Sequence, residues 1–328
     1  MKNNRRKRAP SPHEPGRARS ASKHNAPTPG RWQDISFDLR NADPEFPNIS
    51  LRWLLQAIGI TLLSAGFCAW LLLCLLFWQG SWQLLYHPTH AVSRTPTDFS
   101  LHYQAVSFDA SETGVTQLTG WWIPADPAPS QTAILVLHGA SGNISDTLPL
   151  DAWLHQAHQS VFVFDYRGYG KSGSGKPSEK QALHDAGRAL AWITDTRHIA
   201  PAHIVLWGTG LGADLAAELA VEHPEAGGVV LDQPLQHPLD AILTDPRSHL
   251  VPAHWLLQDH YNLSQTARAL KIPSLWLFDA TKPALLAYDQ VASEKTSLPL
   301  KMPYETDPQA VPALMRWLDD LPSYSSSR

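Results

Sequence analysis

The stretch of this chain that could carry chemistry is a glycine-rich turn, Gly208-Thr209-Gly210-Leu211-Gly212. An apolar, β-branched run ends at Trp207, and an Ala-, Leu- and Glu-rich segment continues to Glu222, so the pattern predicts a strand, a tight turn and a helix. A G-x-S-x-G nucleophile elbow needs this local structure, because its serine hydroxyl must stand exposed on a sharp turn. Gly210 occupies the serine position. The sequence therefore predicts an elbow without its nucleophile.

Two earlier loops also follow apolar runs that are typical of buried strands. His138-Gly139-Ala140-Ser141-Gly142-Asn143 follows residues 133–137, and Asp165-Tyr166-Arg167-Gly168-Tyr169-Gly170-Lys171-Ser172 follows residues 161–164. Strands that alternate with helices form a mostly parallel sheet with helices on both faces. We therefore expect the three loops to lie at one edge of an α/β fold.

In order and spacing, these motifs resemble those of the α/β-hydrolase superfamily, and within it a membrane-anchored branch with H-G-N-x-G-N, D-Y-R-G-Y-G-x-S and G-x-S-x-G motifs. The resemblance extends over about residues 101–315. It implies the α/β-hydrolase fold and an oxyanion hole formed by the backbone N–H groups of Ala140 and Leu211. The pocket residues expected around this site are His138, Gly139, Ser141, Asn143, Thr209 and Asp279.

The chain departs from the family pattern at each catalytic position, although acyl transfer by this route needs a nucleophile and a base oriented by an acid. Gly210 offers no side-chain oxygen, and Lys282 stands where the family pattern H-G-x-x-D has its aspartate. The family's histidine follows the last strand, around residues 301–307, yet no histidine occurs after His260. The resemblance therefore implies a catalytically degenerate protein that acts by binding a ligand or a partner.

Two alternatives start from the same residues. In the first, the chain is an ester or amide hydrolase with rewired catalytic residues, for which the candidates are Thr209, Ser141, Asp279, Asp232, His237 and His254. In the second, Gly208, Gly210 and Asp232 form a dinucleotide fingerprint, because an acid ends the next strand about 20 residues after the turn. That fingerprint usually belongs to the first strand-helix-strand unit, whereas two motif-bearing strands precede this one.

The N-terminal part of the chain differs in composition from the remainder. Of the 26 Lys and Arg residues, eleven lie within residues 1–52, a Pro-, Ser- and Arg-rich stretch that we expect to be a disordered basic tail. The remainder is acidic, which argues against a nucleic-acid-binding surface there. Cys68 and Cys74 both lie in the apolar run described next, so the globular part cannot form a disulfide.

Residues 53–78 contain no charged side chain and are long enough to cross a membrane as a helix. We predict an uncleaved signal anchor, because a signal peptide has a shorter apolar core near the N-terminus. Trp53, Trp78, Trp82 and Tyr86 suit the two membrane interfaces, and the basic flank places the N-terminus in the cytoplasm. The globular domain is then expected on the periplasmic or extracellular side of an inner or plasma membrane.

The remaining domain organisation follows from composition and periodicity. We expect a linker over residues 79–97, an α/β-hydrolase-like domain over residues 98–322 and a short disordered tail over residues 323–328. Residues 234–271 interrupt the strand-helix alternation and are expected to form a lid or insertion. Its four histidines lack a close helical H-x-x-x-H pair and no cysteine is nearby, so neither a metal nor another cofactor is predicted.

Overall fold

The computed structural model describes residues 50–111, 114, 117–126, 132–281, 285–300 and 307–321. Residues 1–59 and residues 60–328 form separate units, and the first is described only from residue 50. Nearly all of the predicted basic tail and the predicted C-terminal tail lie outside the described residues.

The apolar, charge-free segment forms one long helix, α1 (Leu51–Gly80). Thirty residues at about 1.5 Å each give about 45 Å, which exceeds the roughly 30 Å of bilayer hydrocarbon. Most of its large apolar side chains are exposed, and only Cys74 and Phe77 are buried. Helix α1 is therefore long and apolar enough to cross a membrane, as the sequence predicts.

The stretch after α1, which the sequence analysis treats as a linker, packs against the domain. It contains helix α2 (Trp82–Leu85), the two-residue strand β1 (His87–Pro88) and a 3-10 helix (Pro96–Phe99). Strand β1 pairs in parallel with strand β5 (Ser141–Gly142). Tyr86 is buried in protein, so its prediction as an interfacial aromatic side chain is wrong.

Within the described residues, eight strands form the central sheet. They are β2 (Gln104–Asp109), β3 (Gln117–Ile123), β4 (Ala133–Leu137), β6 (Ser160–Asp165), β7 (Ile204–Thr209), β8 (Gly228–Asp232), β9 (Ser274–Asp279) and β10 (Lys295–Leu300). Their spatial order is β10-β9-β8-β7-β4-β6-β3-β2. Strand β3 is antiparallel to both of its neighbours, and the other pairs are parallel. The mostly parallel sheet is confirmed.

Residues of the central strands alternate between two apolar cores, because successive side chains of a strand point to opposite faces. Leu135, Phe162 and Leu206 belong to one core. Ile134, Val161 and Val205 belong to the other. Both faces of these strands are fully covered, which explains why their sequences are continuous apolar runs rather than alternating ones.

The helices cover the sheet on both faces. Three of them follow β5, β6 and β7 in turn, namely α3 (Leu148–Gln156), α4 (Glu179–Arg197) and α5 (Leu211–Glu222). Ser178 caps α4 by accepting a hydrogen bond from the Gln181 backbone N–H. Helix α9 (Leu286–Gln290) follows β9, and α10 (Ala310–Asp320) is the last helix of the described chain.

Residues 234–271, between β8 and β9, form a series of short helices rather than a single element. They are α6 (Asp240–Leu243), a 3-10 helix (Pro246–Leu250), α7 (Ala253–Leu256) and α8 (Leu263–Ala269). Because this segment leaves the sheet at the end of β8, it lies at the carboxyl edge, where the three motif loops also lie.

Candidate functional site

The turn between β7 and α5 has the backbone of an elbow. Gly210 adopts φ 59° and ψ −116°, a region that residues with a side chain rarely occupy. A Cβ atom at Gly208 would overlap the carbonyl of Gly212, and one at Gly212 would overlap the carbonyl oxygen of Leu137. A Cβ atom at Gly210 would meet nothing within 4 Å. The outer glycines allow close packing, and the central one leaves open space where an elbow serine would stand.

Hydrogen bonds tie this turn to the end of β8. The Gly210 N–H donates to the Asp232 carbonyl oxygen at 2.9 Å, and the Thr209 hydroxyl donates to Asp232 Oδ2 at 3.2 Å. Asp232 is 1% exposed. The Thr209 hydroxyl is therefore directed at a buried carboxylate, and that carboxylate has no route to a ribose hydroxyl in solution. The geometry gives no support to the dinucleotide fingerprint.

His138 is buried, and it lines a small cavity together with Ala140 and Leu211. Its Nδ1–H donates to the Gly139 carbonyl oxygen at 2.9 Å, and its ring lies 4.4 Å from that of Tyr166 and 5.0 Å from that of Tyr169. Burial lowers the pKa of His138 to about 4, so the imidazole is neutral at pH 7. A neutral, fully buried imidazole at this position supports the loop and does not contact solvent.

The loop that follows β4 is held from outside by the segment after α1. Its Ala140 carbonyl oxygen accepts from the His87 N–H at 2.9 Å and from the Tyr169 hydroxyl at 2.7 Å. The Asn143 side-chain amide donates to the Thr89 hydroxyl at 2.8 Å and to the Ala91 carbonyl oxygen at 2.9 Å. Asn143, expected as a pocket residue, is thus a buried tether for this segment, and Ser141 is one of the two residues of β5.

The loops bring the two expected oxyanion donors to one small cavity. Ala140 and Leu211 line it together with Gly139 and Tyr86, and its volume is about 10 Å³. A cavity of this size holds about one water molecule. This cavity is therefore too small for an ester or a peptide in this conformation, and Gly210, whose Cβ position is open, is not part of its lining.

Tyr86 lines this cavity and is held in place by groups of the lid segment that are distant in sequence. Its hydroxyl donates to Asp259 Oδ2 at 3.0 Å and lies 2.9 Å from the Tyr261 hydroxyl. Asp259 Oδ1 in turn accepts from the Glu179 N–H at the start of α4, at 2.8 Å. Burial raises the pKa of Tyr86 and that of Asp259. Sequence reasoning missed this network, because no local pattern links Tyr86 to residues some 170 positions away.

A buried ion pair stiffens the loop after β6. Arg167 contacts Asp185 of α4 through its backbone N–H at 2.9 Å, its Nε at 2.8 Å and its terminal guanidinium nitrogen at 2.6 Å. Burial raises the pKa of Asp185, and the Arg167 contacts act in the opposite direction. The loop motif supplies the arginine, whereas its partner lies in a helix whose sequence gave no sign of this role.

The described residues at the end of β9 form a short, partly exposed turn. Asp279 is half-buried at the end of β9, and its Oδ1 accepts from the Thr281 N–H at 2.9 Å and the Thr281 hydroxyl at 2.7 Å. Lys282, which is expected at the acid position, lies outside the described residues. The same holds for residues 301–306 of the stretch 301–307, where the family's histidine is expected. His237 and His254 are exposed. Within the described ranges, no group of three or more His, Cys, Asp or Glu side chains is arranged to hold a metal ion.

Comparison with known proteins agrees with this architecture. The family model described as alpha/beta hydrolase fold matches residues 132–283. The solved structure of the Pyrococcus furiosus esterase Pf2001 superposes with a TM-score of 0.56 and 20% identity, over 72% of this chain and 98% of the esterase. Residues 132–283 thus match the α/β-hydrolase family, and the fold of the chain is the α/β-hydrolase fold. The likeness to the esterase shows the α/β-hydrolase fold and nothing of its substrate.

Curated relatives match only parts of the chain. The uncharacterized protein Rv2307c of Mycobacterium tuberculosis is 34% identical over 182 residues, which are 54% of this chain and 63% of the relative. The uncharacterized protein YfhR of Escherichia coli is 38% identical over 112 residues, which are 33% of this chain and 38% of the relative. The matches thus span less than two thirds of the length of either relative.

Proposed function

We propose that this α/β-hydrolase-fold protein is a membrane-anchored binding protein that has lost the Ser-Asp-His route to acyl transfer. The observation that carries the proposal is Gly210, which stands at the apex of the elbow with a positive φ and open space where a serine side chain would project. Neighbouring hydroxyls do not replace it, since the Thr209 hydroxyl is bonded to buried Asp232. Without a nucleophile at this point, the two backbone donors have no developing oxyanion to stabilise.

Two features of the sequence support the same proposal. Lys282 stands at the acid position, and the chain has no histidine after His260. A triad requires a base within about 3 Å of the nucleophile and an acid that orients it. A single substitution at Gly210 would therefore leave the base and the acid still missing.

Binding takes place, in this proposal, at the carboxyl edge of the sheet. The cavity beside the elbow measures about 10 Å³ with Tyr86 in place. A small ligand enters only when Tyr86 moves away from Asp259 and Tyr261, whereas a protein partner contacts the exposed lid segment directly. The ligand or partner is unidentified, and nucleic acid is not among the candidates because the globular part is acidic.

The same proposal assigns an orientation in the membrane. The basic residues that precede α1 favour a cytoplasmic N-terminus, which places the domain on the opposite side. Full-length fusions that carry alkaline phosphatase or a fluorescent protein at the C-terminus would test it. Phosphatase activity with a dark fluorescent protein is expected, and the reverse pattern would reject this orientation.

The catalytic part of the proposal is tested with the full chain in detergent, by fluorophosphonate labelling and by hydrolysis of short-chain p-nitrophenyl esters. We expect no labelling and no ester hydrolysis with the unmodified protein. We expect the same result with Gly210→Ser, because a restored hydroxyl still lacks its base. Hydrolysis by the unmodified chain would overturn the proposal. If Thr209→Val then abolished that hydrolysis, the Thr209–Asp232 pair would be the rewired site.

A further inference from the structure

The large apolar side chains exposed outside α1 are concentrated at one edge of the described part of the domain. They are Leu235 (41% exposed), Leu250 (61%), Trp255 (88%) and Leu286 (66%). All four lie in the lid segment or beside it, and the Leu286 N–H donates to Gln236 Oε1 at 3.2 Å. Apolar side chains clustered on one surface mark a contact with a partner or a membrane.

Part of this edge lies directly against helix α1. The Trp70 Nε1–H donates to the Leu250 carbonyl oxygen at 3.1 Å, and the Gln258 side-chain amide donates to the Trp78 carbonyl oxygen at 3.4 Å. Between them is an apolar groove of about 270 Å³, whose lining includes Leu73, Leu76, Phe77, Leu84, Leu250 and Val251. The exposed surface of the lid segment is therefore continuous with the lipid-facing surface of α1.

The contact with Trp70 lies deep along the helix. Trp70 precedes the end of α1 by ten residues, which is about 15 Å at the α-helical rise. If the 30 Å hydrocarbon core is centred on the roughly 45 Å helix, Trp70 lies about 7 Å inside it. The carbonyl group of Leu250 reaches the same depth, where an unpaired backbone oxygen would be costly, and the indole N–H of Trp70 satisfies it.

We propose that residues 246–256 are inserted into the membrane leaflet that holds the C-terminal half of α1, with Leu250 and Trp255 among the acyl chains. The occupant of the groove is an acyl chain of a membrane lipid. Arg247 lies at the groove with its side chain 68% exposed and its guanidinium paired with Asp245 at 2.8 and 2.9 Å, and this exposed ion pair is suited to the headgroup level. The inference rests on the membrane-crossing role of α1 in the proposed function.

This arrangement would turn the carboxyl edge of the sheet toward the bilayer. Helix α7 follows directly from the inserted 3-10 helix, and Asp259, three residues beyond α7, contacts Tyr86. A molecule that displaces Tyr86 would therefore arrive from the leaflet, which favours an acyl-bearing amphiphile over a water-soluble ligand.

Depth-dependent quenching tests the inference on the full chain reconstituted in phosphatidylcholine nanodiscs. One environment-sensitive NBD label is placed at native Cys68 in a Cys74→Ala chain, which reports on the anchor. A second label is placed through Trp255→Cys in a chain without native cysteines, where the 88% exposure of Trp255 makes the substitution harmless to folding. The matched control in that background is Glu225→Cys, on an exposed residue before the amino end of β8.

We expect doxyl-labelled lipids to quench the labels at positions 68 and 255 at least about twofold more than the label at position 225, since only the first two are surrounded by acyl chains. Quenching at position 68 but not at position 255 would overturn the inference and leave the anchor in place. Absence of quenching at both would overturn the anchor as well.

A second copy of the chain is the competing occupant of this surface. In that case the label at position 255 would show blue-shifted emission without lipid quenching, and the shift would disappear when each nanodisc holds a single chain. That outcome would also reject the inference.

Discussion

The described parts of the two halves of the carboxyl edge differ in burial. The loops after β4, β6 and β7 are buried and densely hydrogen-bonded, through His138, Asn143, Asp185 and the elbow glycines. The described turn after β9 is more exposed, and there Asp279 Oδ1 accepts from the Thr281 N–H and hydroxyl. The first half has the backbone of a hydrolase site, and the second shows no histidine in its sequence.

The difference shows which parts of such a site also support the fold. Gly212 allows α5 to approach the end of β4, and Asp185 fixes the loop after β6, so changing either disturbs packing. In the proposed degenerate protein, the acid and the histidine expected on the last loops would serve only the reaction. A chain can therefore lose the chemistry and keep the geometry of the first half.

The largest expected effect comes from a close approach of two backbone segments in that half. Gly212→Ala places a methyl group against the carbonyl oxygens of Leu137 and His138, and we expect a loss of about 3 kcal/mol or more in free energy of unfolding. Gly187→Ala, in the middle of α4 with no atom within 4 Å of its Cβ position, should be neutral or stabilising by up to about 1 kcal/mol. Urea unfolding of both variants in detergent measures this. Equal urea midpoints for Gly212→Ala and Gly187→Ala would contradict the close approach of Gly212 to the end of β4.

A smaller loss is expected from the tether between this half and the segment after α1. Asn143→Asp keeps the acceptor for the Ser145 N–H but loses the donors to Thr89 and Ala91, which should cost about 2 kcal/mol. Thr89→Val removes one of those partners and should cost less than half as much. Unfolding free energies provide the measurement, and an Asn143→Asp protein as stable as the unmodified one would show that the segment is not held there.

Buried acids in the same half predict a dependence of stability on pH. Asp214 is 1% exposed in the first turn of α5, and burial raises its pKa well above its ordinary value, with the charge of Glu179 adding to the shift. The folded state therefore binds the Asp214 proton more tightly than the unfolded state does. The resulting stabilisation of the folded state is fully present below about pH 4 and is lost as the pH rises through the raised pKa. Asp151, whose pKa burial raises to about 8, contributes in the same direction.

We expect the melting temperature of the unmodified protein to fall between pH 5 and pH 8, and Asp214→Asn to reduce that fall by about 2–4 °C. Asp245→Asn is the control, because Arg247 lowers the pKa of Asp245 to about 2 and its contribution changes only at more acidic pH. A fall unchanged by Asp214→Asn would mean that Asp214 is not protonated in the folded protein.

The smallest effect on the free energy of unfolding is expected in the turn after β9. Asp279→Asn should change the unfolding free energy by less than about 0.5 kcal/mol, because an asparagine oxygen still accepts from Thr281 in this half-exposed turn. It should also leave ester hydrolysis at the background level. If the unmodified protein hydrolyses esters measurably and Asp279→Asn lowers that rate, the reaction depends on Asp279. That result would contradict the proposed contrast between the two halves.

The sequence predicted the elements around the three loops closely. Helix α5 ends at Glu222 as the pattern indicates, and the runs 133–137 and 161–164 form β4 and β6 to within one residue. These elements follow from local periodicity and from glycine and proline signals, which act over a few residues. The bounds of β10 could not be given, since Lys295–Leu300 mixes polar residues with a proline.

The site itself divides in the same way. The sequence determined that Gly210 has no nucleophilic side chain and that no histidine follows His260, because residue identity alone decides whether an atom is present. Only the tertiary structure decided that Tyr86 lines the cavity and bonds Asp259, that Asn143 is a tether and that Leu250 meets Trp70. Each of these contacts joins residues more than fifty positions apart, and their geometry depends on the packing of the whole sheet rather than on any local pattern.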